Sequence, residues 1–365
     1  MPEPESIPVW QAFSLYRQAI ENDPTWAAAM AAQSPEIVKQ FEQIARNPLL
    51  VYEPFDVPEG TLPDGNPKSS PLKFHRDKSL IRVVSTGNRC TKTTTGAAEV
   101  MGACIGIDPV TKKKSKLWTP PLDCWVVSKT EGASIEQAQA IYASMVPWDL
   151  VDDKCTYTKE GGWKNSVLKF RPPYNSVTRF KYSKQDLQTF AGTYKHIIHL
   201  DEEQPYGYYT ECLARTTGTA GRPPGRIIIT FTNIYDPDIG LSWIVPRLYA
   251  RRHEIPSLSF HFWSLFDVPD WIVPPEEKKR LPATYDEDEV GARVYGSLTP
   301  TGIPLAFPRE LINAQRVNVI EPKLGWLAEK EFRKKVPIEH VRYLPEGQKW
   351  PEREEVETKI VFERE

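Results

Sequence analysis

Between residues 80 and 265, short apolar runs alternate with helical stretches, and this alternation restricts the possible architectures more than any other feature of the 365-residue chain. The runs at 80–85 (LIRVVS), 123–128 (DCWVVS), 196–203 (HIIHLDEE), 226–233 (RIIITFTN) and 257–265 (SLSFHFWSL) are rich in β-branched and aliphatic residues. Such runs fit strands buried on both faces. The intervening stretches at 92–106, 134–146, 206–217 and 239–252 read as helices, the first so rich in alanine and small residues that it must pack closely on the sheet. The runs at 166–170 and 176–182 read as a hairpin closed across RPPYN. Strands and helices in this order imply an α/β fold, a mostly parallel sheet flanked by helices.

Residues 6–47 read as helical, and 51–72, rich in Pro, Gly, Asp and Ser, as a long surface loop. After Pro269, short exposed helices are expected at 274–281 and 287–296, followed by a charged, poorly ordered end. The expected organisation is therefore an N-terminal helical or lid segment (1–70), a core (71–268) and a lid or linker region (269–365).

Lys plus Arg number 46 and Asp plus Glu 48, a net charge of −2. A dedicated passive DNA-binding domain is usually basic, so any nucleic-acid contact must be a local patch or a surface shared within an assembly. No apolar run approaches the roughly 20 residues of a membrane helix, and no secretion signal opens the chain. A soluble, intracellular protein is expected. The five cysteines contain no CxxC pair, which disfavours a zinc site or a disulfide framework.

The central motif is VVSTGNRCTKTTTGA at 83–97. A strand leads into the loop Thr86, Gly87, Asn88, Arg89, Cys90, Thr91, and Lys92, Thr93 and Thr94 then open a helix. This is the strand–loop–helix order in which backbone N–H groups cradle phosphate oxygens. Lys92 would reach the β- and γ-phosphates, and the Thr93 hydroxyl would bind magnesium. The match to the phosphate-loop pattern is imperfect. Thr91 stands at its second glycine position, where a β-branched residue resists positive φ.

Two further strand ends complete the constellation. Asp201, Glu202 and Glu203 close the strand HIIHLDEE, expected beside the loop. Asp201 would hold the metal and Glu202 would orient the attacking water. Acidic capping of the next helix is the plainer alternative for such a cluster taken alone. Thr232 and Asn233 end the strand RIIITFTN, where polar groups could sense the γ-phosphate.

Together these residues resemble the ATPase domain of the large terminase subunit of tailed phages. The phosphate loop matches in Gly87, Asn88, Arg89, Lys92 and Thr93, and the run from 188 to 233 matches more strongly. The resemblance implies a P-loop NTPase fold of the ASCE or RecA-like kind, and an ATPase using Mg²⁺ with ATP. It also implies translocation of double-stranded DNA into a procapsid from the host cytoplasm. The partners implied are a portal protein, a small terminase subunit and further copies of the chain in a ring, with no membrane. Lys92 and Thr93 would bind triphosphate and metal, Asp201 the metal, Glu202 would be catalytic, and Thr232 and Asn233 would couple. Arg89 would touch the γ-phosphate in the same subunit, and Arg179 and Arg215 are candidates for an arginine finger given to a neighbour.

The chain departs from the pattern at Thr91, and residues 266–365 are too short and charged to hold the nuclease domain that large terminases carry. Two other readings stand beside the motor: a nucleotide-binding assembly protein with little hydrolysis, and a helicase-like ATPase. The latter would need a second set of strand–helix repeats.

Overall fold

The computed structural model describes residues 25, 46–236, 239 and 241–298. The chain divides into two units, Met1–Gly302 and Ile303–Glu365, and every element described here lies in the first. Apart from residues 25, 46 and 47, the N-terminal helical stretch lies outside the described residues, as does the charged C-terminal end.

A short helix, α1 (Pro71–Arg76), interrupts the expected loop before the first strand. Ser70 caps it by accepting the Lys73 N–H, and Pro71 fills its first turn.

A seven-stranded sheet is built from β1 (Ile81–Thr86), β2 (Asp123–Ser128), β5 (Val167–Lys169), β6 (Val177–Tyr182), β7 (Ile197–Asp201), β8 (Arg226–Phe231) and β9 (Leu258–Trp263), in the order β5-β6-β2-β7-β8-β1-β9. Strands β3 (Tyr157–Thr158) and β4 (Gly162–Trp163) pair separately. All neighbours in the large sheet are parallel except β5 and β6, which form the expected antiparallel hairpin.

Successive residues of each central strand face opposite sides of the sheet. Val84, Val126, Ile197 and Ile228 therefore join one core, with α2 (Lys92–Cys104) and α3 (Ala140–Met145). Val83, Val127, Ile198 and Ile229 join the other, with α4 (Tyr206–Thr216). A helical turn, Glu131–Ala133, and a π-helical stretch, Ser134–Gln139, lead directly into α3.

The structure corrects three expectations. The acidic strand β7 does not lie beside the phosphate-loop strand β1, because β8 is interposed. The helix expected at 239–252 contains only the π-helical segment Val245–Tyr249, with Pro246 in its first turn. The helices after Pro269 are not merely exposed. In α5 (Pro275–Thr284) Leu281 is buried, and in α6 (Glu287–Tyr295) Ala292 and Val294 are buried. Residues on both sides of 71–268 share its apolar core, through Leu49, Tyr52 and Val57 before it and Val273 and Val294 after it.

The segment around α6 sits against the end of β1. The backbone N–H of Asn88 donates to the Arg293 carbonyl at 2.7 Å, and the Ser85 hydroxyl to that of Gly296 at 2.9 Å. A Cβ on Gly87 would lie 2.3 Å from the Arg293 oxygen, so only glycine admits this approach.

Candidate functional site

The site forms where parallel strands end and α2 begins, the edge at which α/β sheets bind ligands. Thr86 is buried at the end of β1, and its hydroxyl donates to the Gly87 carbonyl at 3.3 Å. Arg89 is exposed and left-handed, with φ 59°. Cys90 is buried, and burial pushes its thiol up to about 12, so it stays protonated. Its carbonyl accepts the indole N–H of Trp263 at 2.7 Å, which ties the loop to β9.

Thr91 caps α2 with φ 62° and ψ 13°, the left-handed conformation that a glycine would supply without cost. Its hydroxyl is buried with no hydrogen-bond partner. The departure at position 91 thus leaves the loop conformation intact and places strain in it.

Lys92 is buried, with Nζ 3.3 Å from Glu202 Oε1. Burial alone would lower its pKa, but the carboxylates of Glu202 and Asp201 more than offset this, and the net direction is upward. The ammonium is therefore permanent at neutral pH. The Thr93 hydroxyl donates to Asp201 Oδ1 at 2.8 Å. Glu202, with φ 66°, also accepts the backbone N–H of Thr232 on Oε2 at 3.3 Å, and the Thr232 hydroxyl donates to the Thr86 carbonyl at 3.0 Å. Asn233 is buried beside it. The structure thus brings the loop residue Asn88, the acids Asp201 and Glu202, and Thr232 to one cleft of about 320 Å³, which Lys129 also lines. Thr94 and Thr91 face a second, apolar cavity of about 140 Å³ with Tyr52, Phe55, Trp271 and Ile272.

Asp201 is held from behind. Oδ1 also accepts the Thr230 hydroxyl at 3.0 Å, and Thr230 is the register partner of Asp201 across β7 and β8. His199 Nε2 lies 2.8 Å from that hydroxyl, and Tyr142 OH lies 2.9 Å from Nδ1. Because the Thr230 proton goes to Asp201, the hydroxyl oxygen must accept from His199, which fixes the Nε2–H tautomer. Tyr142 then donates to Nδ1. Burial pulls His199 down to about 3, so it is neutral. Burial raises Asp201, against the hydrogen bond from Thr93, the charge of Lys92 and the hydrogen bond from Thr230.

Glu203 is not part of the cleft chemistry. It is buried and accepts the backbone N–H groups of Trp243 at 2.8 Å and Ile244 at 3.3 Å, the role of a cap. Lys129 follows β2 directly, lines the cleft and pairs with Asp236. The motifs do not mark it, although a lysine at the carboxyl end of a parallel strand is a usable signal. The histidine within the apolar strand HIIHLD is a comparable signal for the bracing chain behind Asp201.

Arg179 and Arg215 lie elsewhere. Arg179 pairs with Asp123, the first residue of β2, and the Arg215 carbonyl accepts the N–H of Lys195, just before β7. Both contacts are at the opposite edge of the sheet from Asp201. Arg215 also pairs with Glu211 at 3.5 Å.

Among the described residues, no group of three or more His, Cys, Asp or Glu side chains could hold a metal on its own. The pair formed by the Thr93 hydroxyl and one Asp201 carboxylate oxygen suits magnesium instead, which takes few protein oxygens and completes its shell with phosphates and water.

No protein-family model matches the chain. The large terminase subunit of Salmonella phage P22 is 26% identical over 264 residues, covering 64% of this chain and 50% of the relative. The chain thus spans about half the length of the curated relative it matches. Among solved structures, the large terminase of a thermophilic bacteriophage, in complex with ADP, is 13% identical, with a TM-score of 0.47 over 62% of this chain and 52% of that one. The ATPase domain of the Thermus phage P74-26 large terminase is 14% identical, with a TM-score of 0.46 over 69% and 96%. The likeness to phage large terminases carried by the motifs is borne out in the sequence match.

Proposed function

We propose that this chain hydrolyses ATP and couples the reaction to movement of double-stranded DNA into a procapsid, as the motor part of a large terminase. One observation carries the reading: Thr93 on Asp201 at 2.8 Å and Lys92 on Glu202 at 3.3 Å, at the mouth of one cleft. Phosphoryl transfer needs this set, a fixed cation for the phosphates beside a carboxylate that positions water. The sequence match to the large terminase subunit of phage P22 supports it.

The triphosphate would lie along the loop from Thr86 to Thr94, with the base toward the apolar cavity by Tyr52 and Trp271. Magnesium, when bound, would be held by Thr93 and Asp201 and would neutralise phosphate charge. Lys92 cannot serve the γ-phosphate and keep its full contact with Glu202. Nucleotide binding therefore draws the lysine away and leaves Glu202 to accept a proton from water. Glu202 is joined to the backbone of Thr232, and Thr232 to the Thr86 carbonyl. A shift of the carboxylate is thereby felt at the end of β8, which is the coupling step. Arg89 faces solvent at the loop tip, where a γ-phosphate would come within its reach. Arg179 and Arg215, far from their own cleft, remain candidates for a finger given to a neighbour in a homo-oligomeric ring. The portal protein, the small terminase subunit and the host cytoplasm complete the proposal. Among the described residues, no helix is long and apolar enough to cross a membrane.

Lys92→Ala and Glu202→Gln test the reading, assayed with DNA at high protein concentration. Each should lower ATP turnover by about 10²–10⁴-fold. Glu202→Gln should keep nucleotide binding, and both should keep the native circular dichroism. Unchanged turnover in both variants would sink the assignment. The strain at Thr91 favours a second reading, a nucleotide-binding assembly protein. It predicts ATP binding with no phosphate release under the same conditions. A helicase-like ATPase predicts duplex unwinding, and the described residues hold one set of strand–helix repeats, in the seven-stranded sheet, where that reading needs two.

A further inference from the structure

We propose that the edge of the sheet opposite the phosphate loop is the surface that takes the DNA duplex, an inference that rests on the packaging function above. In a parallel sheet, the loops entering the strands gather at one edge and the loops leaving them at the other. Here the entering loops are tied together. Arg226 at the start of β8 donates to the Ser79 carbonyl at 2.7 Å, and the Ile81 N–H donates to Ser257 at 3.0 Å. Tyr194, before β7, donates to the Pro223 carbonyl at 2.9 Å.

This edge exposes Arg76, Lys78, Lys113, Lys114, Lys116 and Arg222. The acids on the same loops are already engaged. Asp77 holds His261 at 2.9 Å, and Asp108 accepts the N–H groups of Val110 and Thr111 at 2.9 Å. Asp123 is shared by Arg179 and Lys195, and Glu254 pairs with Arg251 at 2.9 Å. On the opposite edge the acids are engaged as well, Glu202 by Lys92, Asp236 by Lys129, Asp267 by Lys68 and Asp270 by Lys278.

The chemistry favours a duplex backbone. Six parallel strands at ~4.8 Å spacing make an edge roughly 25 Å long, somewhat less than one duplex turn. Lysines on flexible stems neutralise phosphates without reading bases, as a motor that must move any sequence requires. Tyr194 and Trp118 at this edge are already covered by arginines and do not offer a stacking platform for single strands. Arg222 lies over the Tyr194 ring at 4.8 Å and Arg226 over the Trp118 ring at 5.8 Å.

The test uses the full chain and a random-sequence duplex of about 30 base pairs, with binding followed by fluorescence anisotropy across a salt series. A Lys113→Ala/Lys114→Ala/Lys116→Ala variant should bind at least about 10-fold more weakly, and its log K against log salt slope should fall by about 2–3. A separate Lys78→Ala/Arg222→Ala variant should show a smaller loss of the same kind. Both should bind a fluorescent ATP analogue and hydrolyse ATP without DNA as the wild type does. If the wild type binds duplex and hydrolyses ATP but both variants keep its affinity and slope, the surface is wrong and the motor reading survives. If the wild type hydrolyses ATP yet binds no duplex, or binds acidic polyglutamate in its place, the proposal is overturned in favour of a protein partner. Loss of ATP turnover in Lys92→Ala with DNA binding retained separates the two sites.

Discussion

Thr91→Gly should make the protein more stable, against the usual expectation that glycine destabilises. At φ 62° and ψ 13° a β-branched residue is in left-handed backbone, which costs about 1–2 kcal/mol for an L-residue. Its buried hydroxyl lacks a partner, a further cost of about 1–3 kcal/mol if fully desolvated. Against these, glycine adds unfolded-state freedom of about 1 kcal/mol, and the lost methyl group gives up about 0.8 kcal/mol of burial. The balance is a gain of about 1 kcal/mol, worth about 2 °C in melting temperature for a chain of this size. Urea unfolding at equilibrium, with the slope m compared between variants, measures it. Thr91→Val separates the two causes, because it removes the hydroxyl at constant volume and keeps the strained backbone. A glycine variant that is less stable by about 1 kcal/mol or more would refute the reasoning. A valine variant that gains as much as glycine would show that the hydroxyl, not the backbone, carries the cost.

Gly96→Ala should destabilise by about 1–3 kcal/mol despite better helix propensity, because its Cβ would lie 2.5 Å from the buried His199 ring; a double variant with His199→Ala should recover part of the loss in the same unfolding assay. Thr230→Val removes the donor to Asp201 and the acceptor for His199, and should cost about 1–3 kcal/mol. It should also raise the magnesium concentration needed for half-maximal turnover, which a purely structural defect would leave in place. For pH, burial lowers His75, His199 and His261, with His199 at about 3. The unfolded chain therefore takes up protons near 6.5 that the folded chain refuses. Stability should be fully present above that pH and fall as pH drops from 6.5 toward 3, measured as urea midpoints across the series. Glu99, held at about 2 by Arg82 and His75 against its burial, adds a loss between 4.5 and 2.

Much of the fold can be read in the chain because strands buried on both faces must be written as continuous apolar runs. DCWVVS, expected at 123–128, is the strand Asp123–Ser128. The helix opening at Lys92 follows from small residues that have no other use at that density. The helix expected at 239–252, whose pattern contains Pro246, is reduced to the π-helical Val245–Tyr249. The site was legible as three motifs, each at a strand end, and the structure brings all three to one cleft.

The sequence alone determined which side chains are candidates for the chemistry: an amine, a hydroxyl and two acids, each placed by local pattern at a strand or helix terminus. It also determined the alternation that makes a covered parallel sheet. Tertiary structure alone decided that β8 lies between β7 and β1, that His199 and Thr230 brace Asp201, and that α6 sets its Arg293 carbonyl against Gly87. These are contacts between residues far apart in the chain, fixed by strand order and packing, and local periodicity carries no information about either.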